Sequence, residues 1–267
     1  MATSANIDPV AHGEGIRDVL IVALTLASGF VEAISYLGLG HVFSVAQTGN
    51  MAVLGIRVSG NAGPNLPRTV AALLGFGAGA LVGGLIIRQF HRRAARAADA
   101  AVVWSRGVTF GVAAGLLLQA LFLGLWLGVG GHPSGEGADV LIAISAGAMG
   151  LQTTAVGSLG VRAVFTTAVT ATWGILMGDL SGWAQSRGER RRLAGVILAL
   201  IVGALFGGLL MLNGVRDWTP VFPLAVSVGV VAAAALIFHR GRVPAGSASR
   251  SGASSRSRAG EAHISFP

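Results

Sequence analysis

Eight apolar stretches follow one another along this chain, at about 18–40, 41–58, 69–90, 107–128, 139–160, 163–182, 193–213 and 219–239. A helix needs roughly 20 mostly apolar residues to cross the hydrocarbon of a bilayer, and most of these stretches reach that length. Those at 41–58 and 163–182 are weaker, because polar residues stand in their middles. Composition points the same way: 53% of the 267 residues are hydrophobic and 11% are charged, against about 25% charged in an average soluble domain. A soluble fold of this size cannot hide that much apolar surface, whereas lipid can cover it. The sequence therefore predicts an all-α, polytopic transmembrane bundle with the lipid bilayer as its first partner.

The charged residues exclude several functions. All 19 basic residues are Arg, and the formal charge is +8. The Arg residues sit in short runs between apolar stretches, as in cytoplasmic loops, so the charge does not imply nucleic acid. With no Cys, the chain has no disulfide, thiolate metal site or cysteine nucleophile. With no Lys, it has no Schiff-base chemistry. The six His residues lack metal-ligand spacing. No Ser/His/Asp arrangement is visible at membrane depth, so the expectation is a non-enzyme without cofactor or metal. Residues 1–17 lack the basic start of a signal peptide and are expected to stay as a cytoplasmic segment.

Loop charge sets the expected topology. Arg88, Arg92, Arg93, Arg96 and Arg106 share one connection, Arg187 and Arg190–Arg192 form a second cluster, and Arg240 and Arg242 open the tail. The positive-inside rule places all three in the cytoplasm, with 129–138 outside, both termini inside and the chain in the inner membrane. Between 139 and the Arg187 cluster the chain must cross an odd number of times. A single helix over those roughly 44 residues would be about 66 Å long, and three crossings need more residues than exist. One crossing plus a broken or re-entrant helix fits, and 18–58 obeys the same logic. The expected total is about six crossings and two broken or re-entrant helices.

Those two irregular regions are similar to each other. Shifting the first by 122 brings Ala33, Leu37, Gly38, Val42, Phe43, Ala46, Thr48 and Leu54 onto identical residues from Ala155 to Leu176. At a shift of 124, Gly79–Leu85 (GALVGGL) meets Gly203–Leu209 (GALFGGL). The basic flank follows the first of these helices and precedes the second, as in an inverted-topology repeat. The halves are expected at 18–128 and 139–239, three crossings each, with residues 243–267 a disordered Arg/Ser-rich tail. The GxxxG pairs Gly79/Gly83 and Gly203/Gly207 are read as helix-packing surfaces rather than phosphate cradles.

Polar residues at membrane depth supply the candidate site. Glu32 lies well inside the first stretch, where an ionised carboxylate costs about 2.5–3.5 kcal/mol on insertion scales. It serves either solute or proton chemistry or a structural hydrogen bond. Ser44, Gln47, Thr48 and Asn50 cannot all face lipid, and Gly49 supplies a break. In the second half the corresponding set is Gln152, Thr153, Thr166, Thr167, Thr170 and Thr172, with back-bonding to the preceding turn as the structural alternative. Gln119, midway in its stretch, is expected to bridge two helices.

Ser28-Gly-Phe-Val-Glu-Ala33, Tyr36-Leu37, Val42-Phe43 and Thr48-Gly49-Asn50 resemble the first signature of the YoaK-like bacterial membrane proteins (domain of unknown function 1275). Met149-Gly-Leu-Gln152 and Thr166–Thr170 resemble the second. Thr153 and Ala171 stand where that family often has Asn and Gly. The resemblance covers most of 18–239, adds Tyr36 to the candidate residues, and implies a multi-pass membrane protein without naming a substrate. The functional expectation is a transporter or channel for a small polar solute or ion. Glu32, Tyr36, Gln47, Thr48 and Asn50 would line one side of its site, and Gln152, Thr166 and Thr170 the other. A membrane scaffold is the alternative.

Overall fold

The computed structural model describes residues 9–60, 65–96, 103–161, 169–180 and 187–239. The expected 243–267 tail, Thr166 and Thr167 lie outside these residues. Eight α-helices are described: α1 (Pro9–Gly38), α2 (Gln47–Val58), α3 (Leu66–Arg96), α4 (Arg106–Gly128), α5 (Gly135–Gly157), α6 (Val169–Leu180), α7 (Arg187–Leu212) and α8 (Val221–Ala234). A π-turn, Ala235–His239, extends α8. Six segments are long and apolar enough to cross a membrane, from α1, α3, α4, α5, α7 and the 216–239 stretch containing α8. The stretches around α2 and α6 are the two that fall short, each holding a helix of 12 residues.

Contacts fix the directions of the spans. Along α1 and α7, Val22 meets Gly195, Leu26 meets Gly203, Phe30 meets Gly207 and Leu37 meets Gly208. The numbers rise together, so the two helices are parallel. The same holds for α3 and α5, where Gly75 meets Ala143, Gly79 meets Gly147 and Gly83 meets Leu151. Against α5, α4 runs the other way, with Gly111 on Ala155 and Leu118 on Gly147. In the same manner α8 opposes α1 and α4: Phe222 stacks on Phe30, and Phe238 on Trp104. Thus α1, α4 and α7 point one way and α3, α5 and α8 the other. The chain between α1 and α3 makes no net crossing, nor does that between α5 and α7.

This arrangement gathers the basic residues. One end of the bundle holds the starts of α1, α4 and α7 and the finish of α3, and with them Arg88, Arg92, Arg93, Arg106 and Arg190–Arg192. At the opposite end Arg68 joins α3 to Asp139 of α5 at 2.8 Å, and Trp126 Nε1 donates to the Arg216 carbonyl. Two apolar layers fill the interior. Ile21, Leu24, Trp104, Val108 and Leu193 pack toward the basic end, and Leu39, Trp126, Ile142 and Met211 toward the other. Large apolar residues left exposed, such as Leu74, Leu81, Leu117, Leu198 and Phe206, form the lipid-facing surface.

The two parallel seams are built from backbone on backbone. A Cβ on Gly29 would strike the Leu200 carbonyl and lie 2.8 Å from Ala204 N; one on Gly150 would strike the Phe76 carbonyl and lie 2.7 Å from Ala80 N. Adding 124 to Phe76 and Ala80 gives Leu200 and Ala204, and adding 121 to Gly29 gives Gly150. Gly203 against the Leu26 carbonyl and Gly79 against the Gly147 carbonyl convert by the same two shifts. So do two ion pairs: Arg192 to Asp18 at 3.3 Å on the basic end, and Arg68 to Asp139. The packing role expected of the GxxxG pairs is what the structure displays. In lipid no hydrophobic force drives helices together, so such close approach supplies the association energy.

Gly79→Val should therefore destabilise the protein by about 3 kcal/mol or more, the upper part of the overpacking range, because backbone cannot yield as a side chain does. Gly77→Val, two residues away with open space around its α-carbon, should leave the melting temperature in lipid nanodiscs unchanged. Equal melting of the two variants would refute the seam.

Candidate functional site

After α1 ends at Gly38 the chain turns back into the bundle. His41 has φ of 61°, a left-handed conformation that tightens this reversal, and its ring meets Tyr36 edge-on at 4.8 Å. Tyr36 also stacks on Phe43 at 5.3 Å. At the inward tip the Ser44 hydroxyl donates to that of Ser145 at 2.9 Å. Ser145 follows the start of α5 by ten residues, so the tip has penetrated about 15 Å along that helix. Val45 packs there with Val31, Ala148 and Met149. From the tip α2 leads back toward α3, whose Arg68 reaches the Leu39 carbonyl at 3.3 Å. The 41–58 stretch is thus a re-entrant hairpin rather than a broken span.

Loop backbone at this depth must find its partners within the protein, and one carboxylate supplies several of them. Glu32 Oε2 accepts the N–H groups of Ser44 at 3.2 Å and Val45 at 3.0 Å, and Oε1 accepts that of Ala46 at 3.0 Å. The α2 N-cap residue, Ala46, has no side-chain cap of its own. Glu32 caps that helix from α1, placing a carboxylate where the helix dipole is positive. It stands six residues before the end of α1, level with the hairpin tip that meets Ser145 of α5.

The remaining loop residues close on themselves. Asn50 Oδ1 accepts from Phe43 N at 3.0 Å, while its amide donates to the Phe43 carbonyl at 2.6 Å and to Gln47 Oε1 at 2.9 Å. Gln47 Nε2 donates to the Ser44 carbonyl at 2.9 Å. Glu32, Gln47 and Asn50 are therefore brought together, with their hydrogen bonds spent holding the loop. Tyr36 and Thr48 are exposed at its margin.

The second-half candidates do not join this cluster. Gln152 is buried and donates to Ser28 Oγ at 2.9 Å. Ser28 is one turn below Glu32 on the same face of α1, so Gln152 lies beside the loop anchor without touching it. Thr170 is exposed, and Thr166 falls outside the described residues. Gln119, expected to hydrogen-bond between helices, has a buried Oε1 without a partner among the described residues. Sequence reading missed Ser145, a single Ser in an apolar helix, whose importance comes only from the loop tip it receives.

A family model described as protein of unknown function (DUF1275) matches residues 20–237. The UPF0700 transmembrane protein YoaK of Bacillus subtilis (strain 168) is 30% identical over 166 residues, covering 62% of this chain and 68% of that protein. No solved structure matches the chain.

Glu32→Ala should leave the Val45 and Ala46 N–H groups without an acceptor and Ser44 N–H with only Ser35 Oγ at 3.3 Å, at about 1–3 kcal/mol for each orphaned donor. The expected result is faster hydrogen exchange at the Ser44–Ala46 amides in nanodiscs, with Glu32→Gln intermediate because one acceptor oxygen survives. Unchanged exchange at those amides in Glu32→Ala would show that the carboxylate does not hold the loop.

Proposed function

The chain belongs to the DUF1275 family, and on that premise we propose that it is a non-enzymatic transporter or channel for a small polar solute or ion, working between two inverted halves. The carrying observation is the duplicated set of contacts between residues 18–128 and 139–239. The α1–α7 and α3–α5 seams both join one half to the other, and each is fastened by an Arg–Asp pair at an opposite end of the bundle. The helices that exchange under the shifts, α1 with α5 and α3 with α7, point in opposite directions. Such a pair of halves can rock about a shared site, opening one end while the other stays fastened.

The re-entrant hairpin supports the same reading. Irregular backbone at membrane depth is tolerated where protein or a cavity shields it, and its tip meets α5 of the other half at Ser145. By the positive-inside rule the Arg-rich end faces the cytoplasm and places the N-terminus there, in an inner membrane. Tight packing of the apolar layers favours a second reading, a membrane scaffold that binds a partner without transport.

In proteoliposomes, the purified protein should carry at least one member of a panel of small polar solutes and ions faster than protein-free vesicles do. Flux at background for every member would leave the scaffold. The two ion pairs give a sharper test through single Cys residues at Ala72 and Val196, both buried and related by the 124 shift. Asp139→Asn should speed labelling of the Ala72→Cys site from the Arg68 end, and Asp18→Asn that of Val196→Cys from the basic end. Identical labelling patterns in the two Asp variants would argue against opposed gates.

A further inference from the structure

Helix α3 packs one side against the bundle and leaves the other open. Gly75 and Gly79 face α5, and Gly107 of α4 sits against Ile87 and Phe90. On the open side Leu74, Gly77, Ala78, Leu81, Val82 and Leu85 are all exposed. They recur every three or four residues and so form one stripe. From 74 to 85 that stripe is about 16 Å long, close to one leaflet of a hydrocarbon core about 30 Å thick. An acyl chain can lie along it from end to end.

Past Leu85 the same face turns basic. Arg88, Gln89 and Arg92 continue the spacing and are exposed. With Leu85 and Arg93 they line an open cleft of about 430 Å³, within the roughly 300–1,000 Å³ of small-molecule sites. Elsewhere at this end Arg17 and Arg192 are paired with Asp18. No ion pair ties Arg88 or Arg92 to an acid among the described residues. Arg93 lies over the Phe90 ring at 5.9 Å, and that ring stacks on Phe110 at 4.9 Å, which steadies one guanidinium at the edge of the cleft.

The repeat supplies an internal comparison. Adding 124 carries the apolar stripe onto Leu198, Ile201, Val202, Leu205, Phe206 and Leu209 of α7, all exposed as well. The basic part is not carried over. Arg88 becomes Leu212, and Gln89 becomes Asn213, whose amide donates to the Leu209 carbonyl. Arg92 becomes Arg216, whose Nε donates to the Gly131 carbonyl. The apolar surface is thus common to both helices, whereas the unpaired Arg residues belong to α3 alone.

A guanidinium matches phosphate oxygens in charge and geometry, and Arg residues at a membrane surface attract anionic lipid. The stripe that leads into the cleft calls for an anion with a hydrocarbon tail. We propose that this face of α3 binds one anionic phospholipid from the leaflet at the basic end. Its phosphate meets Arg88 and Arg92, its headgroup meets Gln89, and an acyl chain follows residues 74–85. A zwitterionic lipid fits less well, because it brings a second cation into a cluster of Arg residues.

The test uses the full-length protein in phosphatidylcholine vesicles. These are doped with phosphatidylglycerol or phosphatidylcholine carrying a photoactivated carbene precursor at the tip of one acyl chain, and labelled peptides are mapped by mass spectrometry. Residues 74–85 should take more label from the phosphatidylglycerol probe, by about fivefold for each engaged Arg. In the double variant Arg88→Gln/Arg92→Gln that preference should vanish. The outer face of α7 should take both probes equally in either protein, which also reports that the variant is folded. Equal label on α3 from the two probes would overturn the site. Absence of label there from both, with α7 labelled, would show that something other than lipid covers this face and would overturn it too. Inorganic phosphate added at constant ionic strength should leave the preference intact. Its loss would reveal a site for a free anion and overturn the lipid assignment.

Discussion

Hydrocarbon offers no hydrogen bonds, and the hairpin at 39–58 is possible only because Glu32 reaches it from α1. Glu32 accepts from three consecutive backbone N–H groups at its tip, of which only that of Ser44 has a second acceptor, Ser35 Oγ. The Asn50 side chain pairs with both backbone groups of Phe43, taking the place of a strand neighbour. With those bonds made, the tip can sit against the middle of α5 and deliver Ser44 to Ser145. An acidic residue at membrane depth is often assigned to proton or ion transfer. Here its partners are main-chain donors, and its first task is architectural.

The seams impose a second constraint. Gly29, Gly79, Gly150 and Gly203 each face backbone of the opposing helix, so α1–α7 and α3–α5 sit as close as helices can. Every such contact joins a helix of residues 18–128 to one of residues 139–239. The two parts are consequently interleaved, and the space between them lies inside the bundle rather than in a cleft at its surface. That geometry places buried polar contacts, Ser44 on Ser145 and Gln152 on Ser28, on the boundary between the parts. It also explains why the interior holds polar residues while the outer faces of α3, α4 and α7 are Leu-rich.

Part of the candidate site was legible because membrane energetics is severe. Glu32, Gln47 and Asn50 stood out as costly residues in an apolar stretch, and they do meet in space. Gln152 was equally conspicuous, yet it bonds to Ser28 on a neighbouring turn, because the angle at which α5 crosses α1 is not written in either helix alone. Ser145 drew no notice, since Ser satisfies itself on its own helix at little cost. The Arg68–Asp139 and Arg192–Asp18 pairs were hidden for a different reason: Arg192 was counted for topology, which discards the acid it meets, and Arg68 stood outside the counted clusters.

By itself the sequence determined the class, the six spans, the two short helices and the clustering of Arg at one end. These follow from the length of apolar runs and from loop charge, which are properties of consecutive residues and need no knowledge of neighbours. Only the tertiary structure decided that the 41–58 stretch is a hairpin hung from a carboxylate, and that seams pair α1 with α7 and α3 with α5. Each of these depends on residues far apart in the chain meeting within a few ångströms. Hydrophobic periodicity says which face of a helix turns inward, and leaves open which helix it will find there.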